Sequence, residues 1–238
     1  MSKKTRWIFD VDGTLTPSRG KIDPEFKKFF NTFCKANYVY LVTGSDKPKT
    51  VEQIGEDTYN LAHTVYNCSG NDVWQSKKNI RRNEWKLPEL PGTFLSQCLN
   101  ESAFELRTGL HFEHRTGMCN FSIVGRNADK TQRAQYVEYD IKNDERNIIA
   151  KNFNIMFPDL EARPGGETGI DIAPKGADKS QIIVDFDLKD QIWFFGDRMD
   201  EGGNDYPLAK LLKNTRHVPK WQITWEYLSW FQEQGIAI

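Results

Sequence analysis

Long apolar runs are missing from this 238-residue chain: none approaches the ~20 residues that a membrane-spanning helix needs, so no membrane partner is expected. The opening Met-Ser-Lys-Lys-Thr-Arg is basic, but neither an apolar signal core nor a small-residue cleavage site follows it, and the expected location is cytoplasmic. Cysteine is sparse. Cys34, Cys68, Cys98 and Cys119 lie far apart with no metal-ligand spacing, and they read as reduced, largely buried thiols. No cluster of His and Cys suits zinc. His111 and His114 stand three apart in a strand pattern, hence on opposite faces, which excludes a metal pair. Charge of one sign is also lacking. With 32 basic against 33 acidic residues the formal net charge is -1, so nothing global attracts nucleic acid. Repeats and low-complexity tracts are absent. Aromatic residues, at 13%, are plentiful enough for a packed globular chain rather than a disordered one.

What is present centres on Phe9-Asp10-Val11-Asp12-Gly13-Thr14. It follows Trp7-Ile8-Phe9, an apolar run that reads as a buried strand. The carboxyl end of such a strand is where ligands bind in open α/β sheets. Residues two apart on an extended chain point the same way, so Asp10 and Asp12 are expected to face one cleft. Such a pair repels, and one of the two should titrate high unless a cation sits between them. A divalent metal would relieve the pair and leave one carboxylate free as a nucleophile.

Residues 24–37 read as a helix with Phe26, Phe29, Phe30 and Phe33 on one stripe, a core face. Strand patterns follow at 38–42 and 64–66, with a short helix at 49–54 between them and a hairpin at 71–79. Beyond residue 79 the pattern changes to a helix at 93–100, an antiparallel hairpin at 111–125, a polar helical stretch at 129–157 and strands near 160–163 and 168–173. An apolar helix near 182–184, the strand 191–195 and an aromatic C-terminal helix complete the chain. The reading is α/β: a doubly wound parallel-sheet (Rossmann-like) core from residues 1–79 and 175–238, with an α+β domain, 80–174, inserted into it.

Three strand ends of that core carry short polar side chains: Asp10 and Asp12, Thr43 and Ser45, and Asp197. Lys179 opens a helix between the last two. Carboxylates, a hydroxyl, a lysine and glycine turns are the parts that phosphoryl transfer requires, and an all-oxygen donor set suits Mg2+.

Asp10-Val11-Asp12-Gly13-Thr14-Leu15-Thr16 resembles the first motif of the haloacid-dehalogenase superfamily. By that resemblance Asp10 is the nucleophile and Asp12 the general acid/base. Thr43, or Ser45, would bond the phosphate. Lys179 would neutralise Asp10 and the transferred group, with Lys175 the weaker candidate. Metal ligands would be Asp10, Asp197 and the backbone oxygen of Asp12, with Asp205 and Asp200 orienting the metal or its waters.

The middle section is more particular. Arg115 to Arg126, Gln132-Arg133, Tyr139-Asp140, Gly165 to Asp171 and the spacing from Phe195-Gly196-Asp197 to Gly202-Gly203-Asn204-Asp205 resemble eukaryotic-type α-phosphomannomutases. The resemblance implies that the insertion is a cap. It implies that Arg115, Arg126 and Arg133 hold the phosphate not being transferred, that Arg19 lies near the sugar and that Asp171 contacts sugar hydroxyls. It also implies Mg2+, a hexose 1,6-bisphosphate activator and a homodimer joined through caps. The convergence of Arg115 with Arg126 comes from the resemblance alone. Departures are Gly169 in place of Ser, Cys68-Ser69-Gly70 in place of Glu-Asn-Gly, and Thr43 where those mutases often have Gly.

The expected activity is interconversion of mannose 6-phosphate and mannose 1-phosphate through an aspartyl-phosphate. The alternatives are a sugar-phosphate phosphatase of the same architecture and a binding protein without turnover.

Overall fold

Trp7, Ile8 and Phe9 have no exposed surface, and they form the middle of the larger of two sheets. This structure, a computed structural model, describes residues 4–18 and 20–237. Its strands in chain order are β1 (Thr5–Phe9), β2 (Tyr38–Val42), β3 (Thr64–Asn67), β4 (Asp72–Gln75), β5 (Lys78–Arg82) and β6 (Phe112–Arg115). Then come β7 (Met118–Phe121), β8 (Leu160–Gly165), β9 (Gly169–Pro174), β10 (Gln191–Gly196) and β11 (Asn214–His217). The chain divides into two compact units, Met1–Arg82 with Ala177–Ile238, and Asn83–Gly176.

The first unit holds a seven-stranded sheet in the order β11-β10-β1-β2-β3-β4-β5. The strands from β11 to β3 are parallel, and β4 and β5 extend one edge as an antiparallel hairpin. Side-chain alternation explains why layers form on both sides. Trp7 and Phe9 pack with Phe26, Phe30 and Phe33 of helix α1 (Pro24–Ala36) and with Leu228 and Phe231 near the C-terminus. Ile8 turns the other way, to Tyr40, Ile182 and Phe194. A strand buried on both faces is apolar throughout, which is why Trp7-Ile8-Phe9 and Ile192 to Phe195 read so clearly.

Local chemistry sets the helix ends. Asp23 caps α1 by accepting from Glu25 N and Phe26 N, and Pro24 begins it. Asp46 caps α2 (Lys47–Ile54), which starts two residues before the expected 49 because the cap and Pro48 define its first turn. Helices α3 (Glu56–Leu61) and α7 (Tyr206–Ala209) and strand β11 carry too few apolar residues to be read from pattern. The expected helix near 182–184 is a 3₁₀ segment, Lys179–Asp185. Helix α8 (Trp221–Glu233) buries Thr224, Leu228 and Phe231 and leaves Trp230 exposed.

The second unit is a four-stranded sheet, β6-β7-β9-β8, packed on helices. Helix α4 (Glu89–Glu101) starts before the expected 93 and takes in Pro91 and Gly92; Pro91 lies in the first turn, where a missing N–H leaves no bond unmade. The stretch 129–157 is two helices, α5 (Lys130–Asn143) and α6 (Glu145–Met156), parted by Asp144 in the left-handed conformation at φ 56°. Cys119, Phe121, Ile170 and Ile172 face the helix side and are buried there. Among the described residues, no helix is long and apolar enough to cross a membrane.

Burial raises the Cys34 thiol well above its ordinary value and pushes Cys119 up to about 11. Alkylation requires the thiolate. Iodoacetamide at pH 8 is therefore expected to leave both unmodified in the folded protein and to modify both in urea, as read by peptide mass spectrometry.

Candidate active site

The carboxyl ends of β10, β1 and β2, neighbours in the sheet, deliver Asp197, Asp10 and Thr43 in turn. The 3₁₀ segment brings the fourth group. Asp178 caps it by accepting from Ser180 N, so its first residue, Lys179, turns inward and has no exposed surface. Lys179 Nζ donates to Asp10 Oδ1 at 2.5 Å and to Asp205 Oδ1 at 2.7 Å. The other oxygen of Asp10 accepts from Thr14 Oγ1 at 3.1 Å, and that of Asp205 accepts from Arg198 N at 3.0 Å. Carboxylate oxygens of Asp10, Asp197 and Asp205 lie within 4.8 Å of one another.

Two glycines make this cluster sterically possible. A Cβ on Gly13, which sits at φ 85°, would collide with the Asp197 carboxylate. A Cβ on Gly196 would meet the carboxylate of Asp205 at 2.6 Å. Burial pushes the Asp10 carboxyl up to about 7, opposed by Lys179 and reinforced by Asp205 and Asp197. Burial also raises Asp197, with Asp205 adding to the rise. For Lys179 burial works towards a lower value, yet the carboxylates of Asp10 and Asp205 raise it above the ordinary lysine value. Lys179 is thus held as an ammonium beside Asp10, whose charged form burial disfavours.

The first motif differs from the extended pair read from sequence. β1 ends at Phe9, and the chain turns through Leu15 N→Val11 O and Gly13 N→Thr16 O. Asp12 therefore does not join the carboxylate cluster; its Oδ1 accepts from Gln53 Nε2 at 2.7 Å. The group beside Asp10 that offsets its charge is an ammonium, and the carboxylates that raise it are Asp205 and Asp197, not Asp12. Thr43 is buried, its Oγ1 accepting from Ser45 N at 3.1 Å. Ser69 N donates to Thr43 O and Cys68 N to Ser45 O, so the divergent Cys68-Ser69-Gly70 loop is fastened to this strand end. Asp200 is exposed and outside the cluster. Lys175 is exposed and belongs to the other unit. Arg19 lies outside the described residues.

In the second unit the face of the sheet opposite the helices is polar. Register aligns Glu113, Asn120, Asp171 and Arg163 in one row across the four strands. Glu113 pairs with Arg115 and, at 3.0 Å, with Arg126 Nε, so both arginines converge on one carboxylate. Arg133, on α5, pairs with Glu167 at 3.2 Å. Asp171 Oδ1 accepts from Asn120 Nδ2 at 2.6 Å. The space beside Gly169 is filled by that same Asn120 amide, so the missing side chain there does not leave a hole. His111 bonds the Ser122 carbonyl oxygen across the sheet edge, a structural role.

A family model described as eukaryotic phosphomannomutase matches residues 26–220. A phosphomannomutase of Spinacia oleracea is 31% identical over 225 residues, covering 89% of this chain and 88% of its own. Phosphomannomutase 1 of Mus musculus is 33% identical, covering 84% and 81% respectively. The chain belongs to the eukaryotic phosphomannomutase family. Among solved structures, a haloacid dehalogenase-like hydrolase from Bacteroides thetaiotaomicron superposes with a TM-score of 0.57 at 14% identity, covering 89% of this chain and 86% of that one. The fold of this phosphomannomutase relative is therefore the haloacid-dehalogenase type.

A metal fits the cluster. The donors are all carboxylate oxygens, and three of them carry more negative charge than one ammonium balances. Sequence reading missed Gln53, Thr14, Glu113 and Glu167, which orient or neutralise the residues it named. Gln53 and Glu167 have partners distant in the chain, so spacing carries no signal for them.

Lys179→Met would leave the buried acids of Asp10 and Asp205 facing one another without their cation. In EDTA it is expected to cost about 3–5 kcal/mol of stability. Added Mg2+ should return part of this in thermal melts, while giving a smaller gain to the unsubstituted protein.

Proposed function

We propose that this chain is a Mg2+-dependent phosphomannomutase that interconverts mannose 6-phosphate and mannose 1-phosphate through an aspartyl-phosphate on Asp10. The observation that carries the reading is the buried Asp10 held between Lys179 and Thr14 beside Asp197 and Asp205, in a chain of this family. Asp10 attacks phosphorus, and Asp12 protonates the departing sugar oxygen and later takes the proton of the incoming hydroxyl. Lys179 offsets the charge of Asp10 and of the transferred group, and the Thr43 hydroxyl donates to a phosphate oxygen. Asp10, Asp197, Asp205 and the backbone oxygen of Asp12 would hold Mg2+, which supplies charge neutralisation on the phosphoryl oxygens.

Arg115, Arg126 and Arg133, with Arg19, bind the phosphate that is not transferred, since forked guanidinium contacts suit a phosphate better than a point charge does. Asp171 accepts from sugar hydroxyls. A hexose 1,6-bisphosphate primes the cycle by phosphorylating Asp10. We assign the protein to the cytoplasm and, following the family resemblance, to a homodimer joined through the inserted unit.

One assay tests the activity: mannose 1-phosphate, Mg2+ and glucose 1,6-bisphosphate, with mannose 6-phosphate and free phosphate measured together. The isomer is expected in excess; phosphate without isomer would assign the protein as a phosphatase. Asp10→Asn should lower both products by at least ~10³-fold.

Arg126→Ala is expected to lower isomerisation by roughly 10- to 100-fold, the value of a charged hydrogen bond. It should lower hydrolysis of a small aryl phosphate far less, because that substrate has no second phosphate. Equal losses would remove Arg126 from the phosphate-binding set.

A further inference from the structure

Gln53 is the next-to-last residue of α2 and is 3% exposed. Its amide makes a bond of 2.7 Å from Nε2 to Asp12 Oδ1, with Thr16 Oγ1 at 3.5 Å from the same nitrogen. Its own backbone is fixed too, because Gln53 O accepts from Ile22 N at 2.8 Å. One residue thus ties the end of α2 to both sides of the turn within the first motif.

The orientation of the amide follows from its partner. A carboxylate accepts and does not donate, so the NH2 end must point at Asp12. The carbonyl end is then turned into the protein, and Gln53 Oε1 is buried with no hydrogen-bond partner. A buried acceptor without a donor destabilises the fold, and native structures rarely keep one without a reason. An apolar side chain of similar length would pack there without that penalty. The arrangement makes sense if the contact with Asp12 is what the residue is for.

We propose that Gln53 is a positioning residue that sets the carboxyl group of Asp12 for proton transfer. This rests on the reading of Asp12 as the general acid/base. In that step the bond from an Asp10 oxygen to phosphorus forms and the bond from phosphorus to the sugar oxygen breaks. The proton on Asp12 passes to the sugar oxygen as it leaves. An N–H held on Oδ1 makes the two carboxyl oxygens inequivalent: Oδ1 is kept as the acceptor, and Oδ2 carries the transferable proton. The amide also removes rotational freedom from the acid, and misplacement of a catalytic group is costly in rate.

A sugar hydroxyl is a poor leaving group and needs that proton, whereas p-nitrophenolate leaves without one. The test compares the full-length protein with Gln53→Met, and with Gln53→Leu as a second variant of different shape. With mannose 1-phosphate as substrate, kcat should fall by ~10- to 100-fold while KM changes by less than about twofold. The phosphorylation burst with p-nitrophenyl phosphate should fall by at least about tenfold less than that. The melting temperature should stay equal or rise, because an orphaned acceptor has been removed. A purely structural role would lower the melting temperature and reduce both substrates by the same factor, and that result overturns the proposal. Asp12→Asn, run alongside, separates the two levels. If Asp12→Asn keeps full turnover of mannose 1-phosphate, the acid/base reading falls and takes this inference with it. If Asp12→Asn is crippled and both Gln53 variants are not, this inference alone is wrong.

Discussion

An ammonium buried between two carboxylates is the constraint on which the first unit depends. Lys179 reaches Asp10 from one segment and Asp205 from another, so three stretches of chain far apart in sequence meet at one nitrogen. Removing such charges from water is costly, and only close contact with satisfied hydrogen bonds returns the loss. Asp10 and Asp205 each have a second donor on the oxygen that Lys179 does not use. The carboxylate of Asp197 stands within 4.8 Å of both. A surplus of negative charge at the carboxyl ends of parallel strands is what a hard cation and a phosphoryl group together would balance.

The second unit handles charge differently. The guanidinium groups of Arg115, Arg126 and Arg133 are partly exposed and rest on Glu113 and Glu167, themselves partly open to water. Ion pairs of that kind are worth little, typically below about 1 kcal/mol. Those three arginines are thereby kept in place without being locked. Lys179, Asp10 and Asp205 are thus buried, while Arg115, Arg126 and Arg133 are partly exposed.

Much of this was legible because burial writes itself into composition. Trp7-Ile8-Phe9 and Ile192 to Phe195 are apolar on successive residues, as strands covered on both faces must be, and the α1 stripe of Phe26, Phe30 and Phe33 has helical period. Where tertiary contacts decide, sequence was mute or misleading. Asp10 and Asp12 look like a matched pair, but the chain turns immediately after Phe9 and gives them different partners. The meeting of Arg115 and Arg126 on Glu113 requires knowing how the segment after β7 folds back, which no periodicity encodes. Gln53 lies at the end of a short helix and looks like any surface glutamine until α2 is packed against the motif.

The antiparallel hairpin that lengthens the larger sheet ends in β5, whose residues are all exposed. An outermost strand offers unpaired backbone groups to any other strand it meets, and self-association through such rims is a common route to insoluble fibres. Here that rim carries Lys78, Arg81 and Arg82, and Arg81 is drawn to Asp185 by a forked ion pair. At the opposite rim β11 carries Arg216 and His217. Two copies brought together through β5 would oppose like charges, which disfavours pairing of the sheets edge to edge.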